Sequence, residues 1–300
     1  MREKVGIKHY KYVILLIIFL LMIFIVRFYG NHNNQINNLK DYQLFPFHVT
    51  NVLGKTKYGY INSKGKTIIS PQFDSANYFF EGVAAVEINS QYGFINLKGE
   101  LIIPPTFDFA DQFSEGVAIV RVNGQYGLID KKGEAIIISS IFDFIDQFSD
   151  GLARIEVNNK YGFINKKGEI VISPIFNSTG QFNEGLASIK LNDKYGFINK
   201  KGEMIISPIF DFADQFNEGL ALVGENDSLG GFFKYGFINK SGSLVIPFKF
   251  KSINPKFNSL GKKFHNGLAW MEIHHRNRLL FRSGYGYIDK TGNFVWKSYY

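Results

Sequence analysis

A Tyr-Gly pair opens each of seven repeated units in this 300-residue chain, and its spacing constrains the fold more than any other feature. A period this regular indicates a repeat protein, in which each unit buries its apolar side only against its neighbours. We therefore expect one folded array of seven units over residues 48–300. The tyrosines are Tyr58, Tyr92, Tyr126, Tyr161, Tyr195, Tyr235 and Tyr285, and their successive spacings are 34, 34, 35, 34, 40 and 50 residues.

The unit at residues 185–208 predicts a three-stranded antiparallel meander, because three short runs rich in aliphatic and aromatic residues are separated by turn residues. Asn192-Asp193 predicts the first tight turn. The segment from Asn199 to Gly202 predicts the second, since Asn bonds its own backbone and Gly accepts a positive φ. Pro208 is expected to end the third strand, because proline cannot donate to a central ladder.

Phenylalanines recur in fixed register in the segments that connect the meanders. We expect them to stack between units as the core, with an aromatic ligand-binding ladder as the functional alternative. They form two series: Phe73, Phe107, Phe142, Phe176 and Phe210, and then Phe79, Phe113, Phe148, Phe182, Phe216 and Phe264.

The combined pattern is Tyr-Gly-Phe-Ile-Asn-x-x-Gly, an aliphatic run and Pro, then Phe-Asp, then Phe-x-Glu-Gly-Leu-Ala. It resembles the bacterial WG repeat, also called the KWG repeat, with Tyr in place of the family's usual Trp in all seven copies. The resemblance implies an all-β array in proteins often found on bacterial surfaces, with no common reaction attached. Copy number varies in such proteins, and 34 residues is short for a propeller blade. An open superhelix or solenoid is therefore favoured, and a seven-bladed, propeller-like ring is the alternative.

Residues 1–30 predict a cytoplasmic tip and one transmembrane signal-anchor. Four basic residues precede an apolar run from Val13 to Val26, which Arg27 closes. Flanking aromatic residues extend the run to about 20 residues, enough to cross a bilayer. No small-x-small cleavage site follows, so an uncleaved anchor is favoured over a cleaved signal peptide or a buried helix. The positive-inside rule places the N-terminus in the cytoplasm and the repeats outside. Residues 31–47 are interpreted as a polar tether.

The formal net charge of +8 is unevenly distributed along the chain. Residues 1–30 contribute +4, and these basic residues are explained by the predicted membrane topology. Residues 31–230 contribute −6. Residues 231–300 hold 12 basic and 2 acidic residues, which gives +10. The C-terminal part of the array is therefore strongly basic.

The regular period breaks in the last two units. The segment between the repeat glycine and the Tyr-Gly pair spans 10 residues in most copies, but 16 before Tyr235 and 18 before Tyr285. We expect both insertions to enlarge the same hairpin turn, and variable loops on a repeat scaffold are common recognition sites. A basic solubilising cap is the alternative to a polyanion-binding surface. The candidate ligand contacts are Trp270, His274, His275, Arg276, Arg278 and Arg282.

Residues for catalysis or metal binding form no convincing pattern. The chain has no cysteine, and the spacing of His265, His274 and His275 matches no common metal motif. Carboxylates recur at i and i+3 in the connectors, where they could act as general acids or bind calcium. Turn and surface roles are favoured, because the pairs repeat along the array. They are Asp108/Asp111, Asp143/Asp146 and Asp211/Asp214.

The sequence therefore predicts a single-pass cell-membrane protein whose extracytoplasmic repeats bind a protein or an anionic envelope polymer. A structural spacer without a ligand is the first rival, and a glycan-active enzyme that uses the connector aspartates is the second. No catalytic site, cofactor or metal is expected. Nucleic acid is not an expected partner, because the basic end is predicted to lie outside the cell.

Overall fold

The computed structural model describes residues 43–227, 232–252, 263–277 and 280–299. These residues form antiparallel β-sheets, and none of them lies in a helix, as the sequence predicts. The predicted signal-anchor lies outside these ranges, and within them no helix is long and apolar enough to cross a membrane. The chain divides into two compact units, residues 1–106 and 107–300.

The first unit carries two sheets, with strand orders β1-β2-β3 and β4-β5-β6-β7. β1 begins a few residues before the array boundary predicted at residue 48, and β7 ends at the unit boundary. The strands are β1 (Leu44–Thr50), β2 (Thr56–Asn62), β3 (Thr67–Phe73), β4 (Ser75–Ala76), β5 (Val83–Ile88), β6 (Gln91–Asn96) and β7 (Leu101–Phe107).

The second unit carries five sheets among its described residues: β8 to β11, β12 to β15, β16 to β19, β20 to β23 and β24 to β26. Its strands are β8 (Phe109–Ala110), β9 (Val117–Val122), β10 (Gln125–Asp130), β11 (Ala135–Ser139), β12 (Phe144–Ser149), β13 (Leu152–Val157), β14 (Lys160–Asn165), β15 (Ile170–Phe176), β16 (Ser178–Thr179), β17 (Leu186–Leu191), β18 (Lys194–Asn199), β19 (Met204–Phe210), β20 (Phe212–Ala213), β21 (Leu220–Asp227), β22 (Phe232–Asn239), β23 (Leu244–Ser252), β24 (Ala269–Asn277), β25 (Leu280–Ile288) and β26 (Phe294–Tyr299).

Each of the seven repeat Tyr-Gly pairs lies in the middle strand of a three-stranded meander, as predicted. However, five of the seven described sheets have a fourth strand that the sequence did not predict. The connector adds the fourth strand, which is only two residues long in four of the five sheets. In β20, Phe212 and Ala213 pair with Gly224 and Val223 of β21. The connector is therefore part of the sheet that follows it.

Both predicted turns of the unit at residues 185–208 are confirmed. Asn192 and Asp193 have φ of 48° and 61°, as a two-residue hairpin turn requires. In the second turn, Asn199 Oδ1 accepts hydrogen bonds from the backbone N–H groups of Lys201, at 2.9 Å, and Glu203, at 3.0 Å. Gly202 has a φ of 81° and closes the turn.

The prediction that Pro208 ends the third strand was wrong, because β19 continues through Pro208 to Phe210. The register between β18 and β19 shifts twice, so the proline lies in a β-bulge, where a missing N–H is tolerated. The bulge also explains the glycine of the Tyr-Gly pair. A Cβ on Gly196 would lie 2.7 Å from the nitrogen of Pro208, too close for any side chain.

The third strand forms one edge of its sheet and contains both buried and exposed apolar residues. In β15, Ile172 and Phe176 are buried, whereas Ile170, Val171 and Ile175 are exposed. The edge strand of each internal repeat therefore carries aliphatic side chains on the protein surface.

Within each unit, buried clusters lie between sheets that follow each other in sequence. Between the sheets β12 to β15 and β16 to β19, Phe163 meets Phe182 edge-on, with ring centroids 4.7 Å apart. The same contact recurs in Tyr60–Phe79, Phe197–Phe216 and Phe237–Phe264. Both phenylalanine series are buried, apart from the partly buried Phe79. The prediction that they form the core is confirmed.

The two insertions mainly lengthen strands, which corrects the prediction that they enlarge the hairpin turn. Only the first also lengthens the segment between the paired strands, from two residues to four. β21 and β22 each have eight residues, and β24 and β25 each have nine, whereas the matching strands of earlier repeats have six. The added residues pair in register, from Glu225 with Lys234 to Asp227 with Phe232. Four residues remain between β21 and β22, and two remain between β24 and β25.

Candidate functional site

The last sheet, β24 to β26, packs only one of its two sides on the sheet before it. Ala269, Met271 and Ile288 belong to a buried cluster shared with β21 to β23. Successive side chains of a strand point to opposite sides of a sheet. Trp270 of β24 and Tyr287 of β25 therefore project from the other side, and they are cross-strand neighbours.

The residues on this other side differ in character from those of the preceding sheet. The matching positions in β21, β22 and β23 hold Leu222, Phe237 and Ile246, which are at most 2% exposed and pack toward the last sheet. In the last sheet the same three positions are Trp270, Tyr287 and Trp296, again paired across neighbouring strands. Buried aliphatic and Phe side chains are thus replaced by Trp and Tyr.

We call Trp270, Tyr285, Tyr287 and Trp296 the terminal aromatic face. The ring centroids of Trp270 and Tyr285 lie 5.9 Å apart and are nearly parallel, at 30°. Trp296 lies 5.9 Å from Tyr285 and 6.4 Å from Tyr287. Trp296 is 50% exposed and Tyr287 is 44% exposed. The four rings thus form a contiguous and accessible aromatic surface.

Basic residues also occur further along the same hairpin. His275 pairs with Arg282 and Arg276 pairs with Phe281 in the extended part of β24 and β25. Lys297 of β26 is exposed but, as the direct neighbour of Trp296, lies on the opposite side of the sheet. The basic C-terminal part, with a charge of +10 over residues 231–300, therefore includes the terminal aromatic face.

Among the predicted ligand contacts, Trp270 lies in the terminal aromatic face. His274, His275 and Arg276 lie on β24, and Arg282 lies on β25. The side chains of residues 273–283 fall outside the described part of the structure, as does the whole of Arg278. Sequence reasoning missed Tyr285, Tyr287 and Trp296. Comparing the last repeat with Leu222, Phe237 and Ile246 of the preceding one would have found Tyr287 and Trp296.

The first carboxylate of each predicted acid pair stabilises a hairpin turn of its own sheet. Asp143 Oδ2 accepts a hydrogen bond of 2.6 Å from the backbone N–H of Asn158, and Asp211 Oδ2 accepts one of 2.9 Å from Asn226. Asp74 is placed similarly, and its hydrogen bond from the Lys57 ammonium holds its pKa below the usual range. These acids hold the turn between the first two strands of the meander in place.

The second carboxylates contact neighbouring polar side chains. Asp111 Oδ2 accepts a hydrogen bond of 3.0 Å from Gln147 Nε2, and Asp146 Oδ2 accepts one of 2.9 Å from Arg154. Among the described residues, no three His, Asp or Glu side chains come together in a way that could hold a metal ion. Asp214 Oδ1 accepts a hydrogen bond of 2.7 Å from the backbone N–H of Gln215, whereas its buried Oδ2 has no hydrogen-bond partner among the described residues.

A second set of carboxylates, which sequence reasoning did not single out, links consecutive repeats. Each stands at the first position of a two-residue turn with positive φ, before the glycine of that turn. Its carboxylate accepts a hydrogen bond from the matching glycine N–H of the next repeat. The described bonds are Glu115 with Gly151, Asp150 with Gly185, Glu184 with Gly219, and Glu218 with Gly267. We call these four acids the turn carboxylates.

Arg154 departs from the repeat pattern inside the array. The matching positions hold Ala85, Ile119, Ser188 and Leu222, all buried and without charge. The guanidinium donates to Asp146 and, at 2.7 Å, to the carbonyl of Thr179 in the next sheet. It also lies 5.5 Å from the centre of the Tyr161 ring. A partly buried ion pair thus interrupts the apolar contact between these two sheets.

Comparison with known proteins agrees with the repeat pattern. The family model described as "WG containing repeat" matches residues 58–92, 92–126, 126–161, 161–195, 195–227 and 235–274. No curated protein sequence matches the chain.

Solved structures align with this chain at low sequence identity. A crystal structure of a eukaryotic initiation factor aligns with a TM-score of 0.54 and 9% identity, over 84% of this chain and 74% of that chain. The extracellular domain of a one-component system from B. thetaiotaomicron aligns with a TM-score of 0.34 and 11% identity, over 76% of this chain and 39% of that chain. The WD40 domain of SCAP from fission yeast aligns with a TM-score of 0.34 and 8% identity, over 87% and 85%. The match to the initiation factor shows that the two proteins share a similar β fold, and nothing more.

Proposed function

Because this chain belongs to the family of proteins built from WG-containing repeats, we propose that it is a binding and scaffold protein, not an enzyme. Residues 1–30 anchor it in the cell membrane, with the N-terminus in the cytoplasm and the repeats outside. Its ligand is an anionic envelope polymer, bound by the basic C-terminal part of the array.

The observation that carries this proposal is the extended hairpin of β24 and β25. It places Arg276 and Arg282 on the two strands that also carry Trp270, Tyr285 and Tyr287, in a region of +10 net charge. Exposed positive charge attracts a polyanion over a range set by the salt concentration. Arginine also forks onto carboxylate and phosphate groups, which favours this residue over lysine at such a site.

The test removes three charges from the hairpin. In the full chain in detergent, the variant Arg276→Ala/Arg278→Ala/Arg282→Ala should lose retention on immobilised anionic envelope polymer while its melting temperature stays nearly unchanged. A matched variant, Lys132→Ala/Lys167→Ala/Lys201→Ala, removes the same charge from exposed hairpin turns of earlier repeats and should bind like the parent. Retention of the parent should fall as salt rises.

Equal binding by the arginine variant, or retention that does not depend on salt, would mean that the basic end is only a solubilising cap. Capture of a protein that still binds the arginine variant would favour the protein-scaffold alternative. Membrane topology is tested separately by protease treatment of intact protoplasts. A mature N-terminus beyond residue 28, or repeats that resist the external protease, would contradict the proposed anchor.

A further inference from the structure

We infer that the terminal aromatic face stacks on sugar rings, so that the anionic polymer is a polysaccharide. This inference rests on the proposed function and specifies its ligand class. The basic residues would supply attraction to charge, and the four rings would supply recognition of the saccharide units.

The shape of the face supports a ring-shaped ligand. Trp270, Tyr287 and Trp296 lie side by side on three neighbouring strands. Adjacent strands are about 4.8 Å apart, so these residues cover roughly 10 Å across the sheet. Tyr285 lies against both tryptophans and fills the surface between them. The result is a broad platform and not a single isolated ring.

The chemistry of the rings supports a ligand that is apolar on one side and polar at its rim. Trp and Tyr combine an apolar body with an N–H or O–H that needs a hydrogen-bond partner when covered. A pyranose offers C–H groups on its face and hydroxyls around its edge, so it satisfies both parts. A further repeat would offer mainly aliphatic and Phe side chains, such as the Leu222, Phe237 and Ile246 that pack between internal sheets.

Two other ligand classes fit less well. Aromatic clusters also bind quaternary ammonium groups, but a region of +10 charge repels cations. Trp, Tyr and basic residues also occur at membrane surfaces. A lipid surface favours rings that protrude from the protein, whereas here Trp296 and Tyr287 are about half covered and contact each other.

The chain provides its own probe for this inference. It contains two tryptophans, Trp270 and Trp296, and both belong to the terminal aromatic face. Intrinsic tryptophan fluorescence therefore reports on this surface alone. In the full chain in nanodiscs, polygalacturonate should shift the emission and protect it from acrylamide. Polyphosphate at the same charge concentration should bind without this protection.

A variant tests the contribution of the rings to affinity. Trp270→Leu/Trp296→Ile introduces the residues of the preceding sheet and so keeps the strand propensity. It should weaken polygalacturonate binding at least tenfold and change polyphosphate binding less than twofold, whereas the arginine variant should weaken both. The single variant Trp296→Thr, at a half-exposed position, serves as a check if the double variant does not fold.

Several results would overturn the inference. If the tryptophan variant binds polygalacturonate as the parent does, sugar stacking is wrong, and the proposed function stands as long as the arginine variant fails to bind. If the parent binds neither polymer, both proposals fail. Quenching of the tryptophans by brominated lipids in the nanodisc would indicate that the face lies on the membrane. A parent dimer that the tryptophan variant converts to a monomer would indicate a second copy as the occupant.

Discussion

The carboxylate of Glu184 accepts a hydrogen bond from the backbone N–H of Gly219, with Oε2 3.0 Å from a nitrogen 35 residues further along the chain. The same carboxylate lies 3.2 Å from Lys240 Nζ, and that ammonium donates to the Glu184 carbonyl at 2.9 Å. One acidic side chain thus connects its own turn to two positions in the next repeat. Its φ of 54° is unusual for Glu, and the contact explains why the residue is found there.

Replacing this carboxylate should weaken the contact between consecutive sheets. Glu184→Ala removes the acceptor of the Gly219 N–H, and we expect a loss of about 1–2 kcal/mol in the free energy of unfolding. Glu184→Gln keeps an acceptor oxygen and should lose less, because the exposed ion pair with Lys240 contributes little. Urea unfolding measures the difference. The matched control is Glu225→Ala, at an exposed position. Equal stability of Glu184→Ala and this control would contradict the structural role.

Lowering the pH should protonate Glu218, the turn carboxylate bonded to the last repeat, and so weaken its contact with Gly267. The Lys290 ammonium and the Gly267 N–H, both donating to Glu218, hold the pKa of Glu218 below its ordinary value of 4.5. A carboxyl whose pKa is depressed in the folded state stabilises the fold fully above the ordinary pKa, and this contribution is lost as pH falls through the folded pKa.

The pH test compares the parent with Glu218→Gln, which resembles the protonated acid. The parent should have the higher melting temperature at pH 7, and the difference should shrink between pH 5 and the lower folded pKa of Glu218. The other carboxyl groups titrate equally in both proteins, so only the difference between the two melting temperatures reports on Glu218. A difference that stays constant across this range would show that the charge of Glu218 is not responsible.

Gly202 should tolerate Asn better than Val. Its φ of 81° lies in the left-handed region, where a β-branched residue is strained and Asn is accommodated more readily. A Cβ at this position would lie 3.4 Å from Ile172 Cγ1, which is ordinary contact, so backbone strain is the main cost. We expect Gly202→Val to lose roughly 1–3 kcal/mol. An unchanged denaturation midpoint for Gly202→Val would show that the turn differs from the one described.

Arg154 and Asp146 should be energetically coupled. Each is only partly exposed, so removing either one leaves a charged partner that is poorly compensated. We expect Arg154→Leu and Asp146→Asn to cost about 1–2 kcal/mol each after allowance for solvent screening. The double variant should lose less than the sum of the two, as a double-mutant cycle in urea would measure. Additive losses would indicate that the ion pair contributes nothing of its own.

The features predicted best from the sequence depend on neighbouring residues. The turn from Asn199 to Gly202 is specified by an Asn side chain that reaches backbone groups two and four residues away. The burial of Phe176 and Phe182 followed from their fixed register. By contrast, the strand pairing of Phe212 and Ala213 depends on partner residues twelve and ten positions later in the chain. Two residues are too few for an alternating pattern to show.

The site was predicted only in part, for a related reason. Trp270 was noticed because it lies close to the basic insertion, whereas Tyr287 and Trp296 look like ordinary strand residues. Their exposure depends on what packs beside the last sheet, which no local pattern encodes. The insertions were misjudged because Glu225 and Asn226 are common in loops, yet here they pair with Lys234 and Phe233. The arrangement of all seven sheets as an open array or a ring stays a prediction.

The bulge at Pro208 helps to explain how a protein with exposed sheet edges avoids aggregation. An exposed edge strand with aliphatic side chains, such as Met204, Ile205 and Ile209, is a template on which another chain could add a strand. A bulge twists the strand and interrupts its row of backbone groups, so a straight strand from a second molecule finds no continuous register. The same irregularity recurs where β3 and β15 contain proline. The bulge thereby opposes the edge-to-edge pairing of separate molecules that leads to fibrils.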